Sequence, residues 1–475
     1  MVITAINIAV YIITFDAQQN LLRTCLCLRG DVFVKRVVII GASGRDFHNF
    51  NVVFRNNPYY KVVAFLQTQI PGVSGRRYPP SLAGPHYPEG IPIISLEMLE
   101  EVVKEYRVEE AVLAYSDLLY DELGNVLSRI LAAGLSFRIL GPNETMLEAA
   151  KPVIAVLGVK TGVGKSTVSR EVAFELRRRG LKVGIVRHPM PYGDLEKQAV
   201  QVFHSLEDLD KYQATIEERE EYEPYLREGF YVYAGVDYGK LLHVVEKEND
   251  VILWDGGNND WPFYRPDFSI VVADAMRPGI EVKAYPGEVN FRLADAIIVN
   301  KADQAKPGAI EEIKRNAKLR NPKAYITVAA SIVEVDKPHL IEGRRVVVVE
   351  DSPTVTHGGL PYAAGYVAAR KYNAEVVDPR PYATDFFKKI YAEYPHLGPV
   401  LPSTGYTPEQ LRELEKTLNN TPADAIVLAT PSDITRLIRV DKPVVRVRYR
   451  LEVIEGPTIK DYVDMFLEKG KRKLL

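Results

Sequence analysis

The stretch Gly158-Val-Lys-Thr-Gly-Val-Gly-Lys-Ser-Thr167 has the residue types that enclose a phosphate chain. Glycines at 162 and 164 let successive backbone N–H groups face phosphate oxygens, and a helix beginning at Lys165 adds its positive end. Lys165 is placed to reach between the last two phosphates, and the Ser166 hydroxyl to ligand Mg²⁺, with Thr167 beside it. The strict spacing G-x-x-x-x-G-K-[ST] would need glycine at 159, where Val159 stands, so Gly158 is displaced by one. Val251-Ile-Leu-Trp-Asp-Gly-Gly-Asn-Asn-Asp260 supplies the acidic partner: an apolar strand ending in Asp255 brings a carboxylate to the edge where the loop sits. Asp255 is therefore expected to hold Mg²⁺, directly or through water, with Asp260 a second carboxylate in the crevice. The expected catalytic set is Lys160, Lys165, Asp255, Arg187 and Asp260.

Cationic side chains recur just past the ends of apolar runs, where open α/β sheets bind ligands. Arg45 and His48 follow the turn Gly41-Ala-Ser-Gly44, Arg76 and Arg77 lie in a Gly/Pro-rich loop, and Arg187 and His188 end Gly184-Ile-Val186. Arg277 follows Asp274, and His357 precedes Gly358-Gly359. Arg45, His48, Arg76, Arg77, His188, Arg277 and His357 are the expected substrate-binding residues, for a small and strongly anionic substrate. Gly358-Gly359 also reads as a flexible turn, and the first turn lacks the third glycine of a dinucleotide site. Asn300-Lys-Ala-Asp303 after Ala296-Ile-Ile-Val299 resembles the N-K-x-D base-recognition motif of GTP-binding proteins, so Asn300, Lys301 and Asp303 join Gly162, Gly164, Lys165, Ser166 and Thr167 as nucleotide contacts. Lys160 resembles the signature lysine of the MinD/ParA and dethiobiotin synthetase branch of phosphate-loop proteins, where that lysine touches phosphates, sometimes across a dimer interface. An exposed loop lysine is the plainer alternative.

These residues need strand ends and helix starts to hold them, and the chain supplies both. Its 475 residues exceed one core. Residues 1–33 read as an extra arm or a mis-assigned start, with Val34 the preferred beginning. Residues 34–147 alternate strand and helix as a Rossmann-like anion-binding domain; 148–340 form the nucleotide domain, with a mostly parallel sheet; 341–475 form a smaller C-terminal α/β domain. Residues 206–224 are densely charged and read as a solvated surface helix. With 47% hydrophobic and 26% charged residues the composition is that of a globular protein. A net charge of -2 carries no basic field for nucleic acid. Both cysteines, Cys25 and Cys27, fall in the first arm, which rules out a thiolate zinc site or disulfide framework beyond it. A cytoplasmic enzyme is expected, and its many charged residues fit a thermophile.

At the level of whole motifs the chain resembles the archaeal cyclic 2,3-diphosphoglycerate synthetase family, whose members are often labelled GTPases. The resemblance rests on Val37-Val-Ile-Ile-Gly-Ala-Ser-Gly-Arg-Asp-Phe-His-Asn-Phe-Asn51, Gly75-Arg-Arg-Tyr-Pro-Pro80, Gly162-Val-Gly-Lys-Ser166, Trp254–Asp260, Asn300–Asp303 and Thr356-His-Gly-Gly359. It implies an ATP- and Mg²⁺-dependent ligase that closes 2,3-diphosphoglycerate into a cyclic phosphoanhydride, releasing ADP and phosphate. Lys160, Lys165 and Arg187 would then hold the triphosphate, and Arg45, His48, Arg76 and Arg77 the diphosphoglycerate. GTP in place of ATP, a related phosphotransferase or ligase acting on another polyanion, and a MinD-like GTPase switch are the alternatives. A homodimer would let Lys160 act across an interface.

Overall fold

A computed structural model of the chain describes residues 34–42, 44–67, 75–190, 193–257, 260–356, 358–404, 407–430 and 434–474. The expectations for residues 1–33, for Asn258 and Asn259, and for His357 lie outside these. The chain divides into two compact units. The first takes the described residues up to Ala42, then Asn49–Ala114 and Leu127–Leu140; the second takes Ser43–His48, Tyr115–Val126 and Gly141–Leu475.

The first unit is built on a six-stranded sheet. Its order is Arg77–Tyr78, Ile91–Ser95, Tyr60–Gln67, Lys35–Ile40, Glu110–Leu113 and Ser136–Ile139. The run Val37–Ile40 is wholly buried, because its strand has parallel neighbours on both sides. Arg77 sits on the edge strand and is exposed; it donates to the carbonyls of Glu89 and Gly90 at 2.7 and 3.3 Å. Its guanidinium thus fastens its own loop. Arg76, next to it, is half-buried.

The second unit carries a 13-stranded sheet. One half runs Gln201–Phe203, Tyr231–Ala234, Val183–Arg187, Val251–Trp254, Val153–Gly158, Phe268–Asp274 and Ala296–Asn300. These strands are parallel except the first. Their apolar, β-branched runs are buried because helices cover both faces of such a sheet. Helix Lys165–Arg178 lays Val168, Val172, Ala173 and Leu176 against this core. The sheet continues through Tyr325–Val335, which pairs antiparallel with Val444–Glu455, and on to Ala425–Ala429 and Arg345–Glu350. The segments expected as nucleotide and C-terminal domains therefore share one sheet and one compact unit.

The charged segment 206–224 departs from its expectation. It forms helices Leu206–Lys211 and Ile216–Arg227, and the second buries Glu218, Arg219, Glu220 and Glu223. Glu207, Asp210 and Lys211 of the first helix stay exposed, but the charges buried on the second form an internal network and not a solvated face.

Candidate active site

Strand Val153–Gly158, the turn after it and helix Lys165–Arg178 form the phosphate loop. Gly162 and Gly164 adopt φ of 82° and 95°, which glycine reaches without strain. At Gly164 a Cβ would also come within 2.2 Å of the Asn300 amide nitrogen. Asn300 donates to the Val163 carbonyl at 2.9 Å, and the Lys301 ammonium to the Gly162 carbonyl at 2.6 Å. Two residues of the N-K-x-D motif thus brace the loop from beneath. The third behaves differently: Asp303 is exposed, and its carboxylate accepts from the Ser331 amide at 2.9 Å and the Gln304 side chain at 3.2 Å.

Lys165 donates to Asp255 Oδ1 at 2.6 Å and to the Gly256 carbonyl at 2.8 Å. Asp255 is completely buried. Oδ1 also accepts from Ser169 at 2.7 Å, while Oδ2 accepts from Tyr225 at 2.7 Å and from Arg187. Burial alone would raise this carboxyl, but Arg187 and Lys165 outweigh it and hold it at about 2. Both oxygens are taken by protein donors, which corrects the expectation that Asp255 ligands Mg²⁺ directly. Ser166, the other residue expected at the ion, is exposed in the first turn after the loop. Among the described residues no three His, Cys, Asp or Glu side chains converge as a metal cage.

Arg187 lies behind this carboxylate and is 1% exposed, paired with Asp255 on one side and Glu221 on the other. It braces Asp255, which corrects the expectation that it holds the triphosphate. Tyr225, Glu221 and Ser169 were missed. The signal was available: Glu221 and Tyr225 stand four residues apart on one helix face, and Ser169 is one turn beyond Lys165.

Lys160 is held by Asp117, Nζ to Oδ1 at 2.8 Å and to the carbonyl at 2.7 Å. Thr161 donates to the other carboxylate oxygen at 3.0 Å. Arg277 binds Asp274 at 2.9 Å, the Thr161 carbonyl at 2.8 Å and the Gly358 carbonyl at 3.0 Å. It clamps the phosphate loop to the segment before Gly359, which replaces its expected substrate contact.

Arg45 and His48 belong to the second unit, although the sequence placed them in the first. Arg45 donates to Asp260 at 2.8 Å and to the Trp261 carbonyl at 2.8 Å, with its guanidinium 4.0 Å from the centre of the Trp261 ring. Asp260 is therefore the counter-ion of a buried arginine. His48 stacks on Phe263 at 4.0 Å and shares a 2.6 Å hydrogen bond with the Thr145 carbonyl. Burial pushes its imidazole down to about 3, so it is neutral and cannot meet an anion by charge. His188, hydrogen bonded to Tyr238 at 2.9 Å, is likewise pushed down by burial and then by Arg45 and Arg187.

Residues 149–225 match the family model described as ParA: NUBPL iron-transfer P-loop NTPase. The arginine synthetase ArcE of Thermococcus kodakarensis is 55% identical over 431 residues, 90% of this chain and 96% of that protein. The chain belongs to the arginine synthetase ArcE family. The cyclic 2,3-diphosphoglycerate synthetase of Thermococcus sibiricus is 24% identical, over 59% of this chain and 68% of that protein. The ATP-bound LpxK structure from Aquifex aeolicus aligns with 78% of this chain and 99% of its own at 13% identity and a TM-score of 0.41.

Membership of the ArcE family overturns the assignment to the cyclic 2,3-diphosphoglycerate synthetase family, and the ring-closing reaction with it. Of the motifs behind that resemblance, Gly162–Ser166, Trp254–Asp260 and Asn300–Asp303 build the phosphate loop and its braces, parts that different reactions share. The protein is a phosphate-loop, nucleoside-triphosphate-using α/β enzyme with a mostly parallel sheet. Among the described residues no helix is long and apolar enough to cross a membrane.

Proposed function

We propose that this ArcE-family chain is an ATP-dependent ligase whose product is arginine. The observation that carries the reading is 55% identity across 90% of the chain to an arginine synthetase. The linked residues Lys165, Asp255 and Arg187 behind the phosphate loop support it. Making a guanidino group from a ureido group replaces carbon-bound oxygen with nitrogen, and oxygen leaves poorly unless activated. The γ-phosphoryl group would pass to that oxygen, giving ADP. A nitrogen nucleophile would then form the C–N bond as the C–O bond breaks, its electron pair leaving on phosphate.

Lys165 meets the charge that develops on the transferred group, and the N–H groups of residues 162–166 cradle the oxygens beside it. Mg²⁺ would be held at Ser166 and would offset phosphate charge. We assign ATP over GTP because the Ser331 amide and the Gln304 side chain already engage both oxygens of Asp303, and a guanine edge would have to compete with them. The first unit we read as a Rossmann-like, anion-binding module.

The test is incubation of the full chain with Mg²⁺-ATP, ammonium and the ureido amino acid that differs from arginine only by oxygen in place of one nitrogen. Arginine should form with one ADP and one phosphate each, and GTP should be the poorer nucleotide. ADP release without arginine would overturn the assignment.

A further inference from the structure

Glu220 does none of the work described so far. It lies on helix Ile216–Arg227, is 4% exposed, and accepts at Oε1 from Ser403 at 2.6 Å and from Thr430. Its other oxygen, Oε2, is enclosed and has no donor among the described residues. Within hydrogen-bond reach lies a second carboxyl, Asp351, which accepts from the Thr354 hydroxyl. Asp351 follows strand Arg345–Glu350, Ser403 follows Leu401–Pro402, and Thr430 follows Ala425–Ala429. The group therefore gathers at the C-terminal ends of strands, the ligand edge of an α/β sheet.

Two carboxyls facing one another, with no donor between them among the described residues, require positive charge or a shared proton. With the site empty, burial pushes both carboxyls up, and the Asp351 charge adds to this at Glu220, so the pair shares a proton that a bound cation would displace. A metal is poorly matched, since no metal cage forms among the described residues. Hydroxyls that accept as well as donate, beside carboxylates that only accept, match the geometry of an N–H cation.

The position adds a reason. Thr354 lies against the phosphate loop, 3.6 Å from where a Gly162 Cβ would stand. On the other side Glu221 links Arg187, Asp255 and Lys165. The carboxyl pair thus flanks the loop that delivers the phosphoryl group.

We propose that Glu220 and Asp351, with the hydroxyls of Ser403 and Thr430, bind ammonium and take one proton from it, which leaves ammonia as the nitrogen nucleophile of the ligase reaction. This rests on the reading of the chain as an arginine-forming ligase. The experiment has two readouts on the full chain with Mg²⁺-ATP. Binding is followed by exchange broadening of ¹⁵N-ammonium chloride, and turnover by initial rates against ammonium. Glu220→Gln and Thr430→Val should each weaken ammonium binding and raise its KM at least tenfold, with KM for ATP within twofold. A purely structural role would move both KM values together, and that result overturns the proposal. So does wild-type protein that fails to bind ammonium, or variants that bind it as wild type does. Should Glu220→Gln not fold, Thr430→Val decides, since it deletes a single hydroxyl. Glu220-dependent ammonium binding without arginine would sink the ligase reading and leave the site standing. Arginine formation at unchanged ammonium KM in the variants would do the reverse.

Discussion

The Tyr225 hydroxyl donates to Asp255 at 2.7 Å, joining a helix of the charged segment to the carboxylate that anchors the phosphate-loop lysine. Tyr225 is 2% exposed, so its hydroxyl has no water to fall back on. Tyr225→Phe should cost about 1–2 kcal/mol in urea unfolding and slow ATP turnover severalfold, with ATP affinity nearly kept. Turnover equal to wild type would mean that Asp255 needs no support from that side.

Lys165→Ala should remove turnover by 100-fold or more (roughly 3 kcal/mol in the barrier), while the chain folds as before. The lysine meets charge that grows only as the phosphoryl group moves, so the loss belongs in kcat more than in binding. Single-turnover ADP formation checks this. A change confined to KM would show that Lys165 only grips the ground state.

Asp255 titrates at about 2, below an ordinary aspartate because Arg187 and Lys165 outweigh its burial. A carboxyl depressed by folding adds stability above its unfolded value and loses it as pH falls through its folded value. Between pH ~4 and ~2 the wild type should therefore lose about 2 kcal/mol more than Asp255→Asn does. Urea unfolding at several acidic pH values measures the difference. Parallel pH profiles for the two proteins would contradict it.

Lys160 and Asp117 meet at 2.8 Å with side chains 13% and 14% exposed. A cycle of Lys160→Ala, Asp117→Ala and the double variant should give a coupling energy of about 1–2 kcal/mol in unfolding experiments. Additive effects would mean the pair contributes nothing together. The same variants test Lys160 in catalysis: loss of turnover in Lys160→Ala beyond that in Asp117→Ala would point to a role at the phosphates.

Arg277 ties the Thr161 carbonyl to the Gly358 carbonyl. Arg277→Ala should raise KM for ATP about tenfold, the equivalent of ~1.4 kcal/mol of lost loop order. Unchanged KM would show that the loop keeps its shape without the clamp.

The sequence by itself determined the parts that depend on local rules. Glycines at 162 and 164, an apolar strand before them and a periodic helix after them can hardly form anything but a phosphate loop, since φ near 90° excludes other residues there. Runs such as Val251–Trp254 likewise announced buried parallel strands. Only the tertiary structure decided what each charge faces. Arg45, His48 and Arg187 carry the residue types of an anion site, yet burial makes His48 neutral and partners claim Arg45 and Arg187. The reverse holds for Glu220, Glu221 and Tyr225, whose helix reads as solvated because charge density along a chain says nothing about burial. Their partners Asp255, Arg187, Asp351, Ser403 and Thr430 lie 30–210 residues away, and only the folded sheet brings them within hydrogen-bond range. Substrate identity was hidden for the same reason: a phosphate cradle is a local motif, whereas the groups that choose the acceptor converge from distant strand ends.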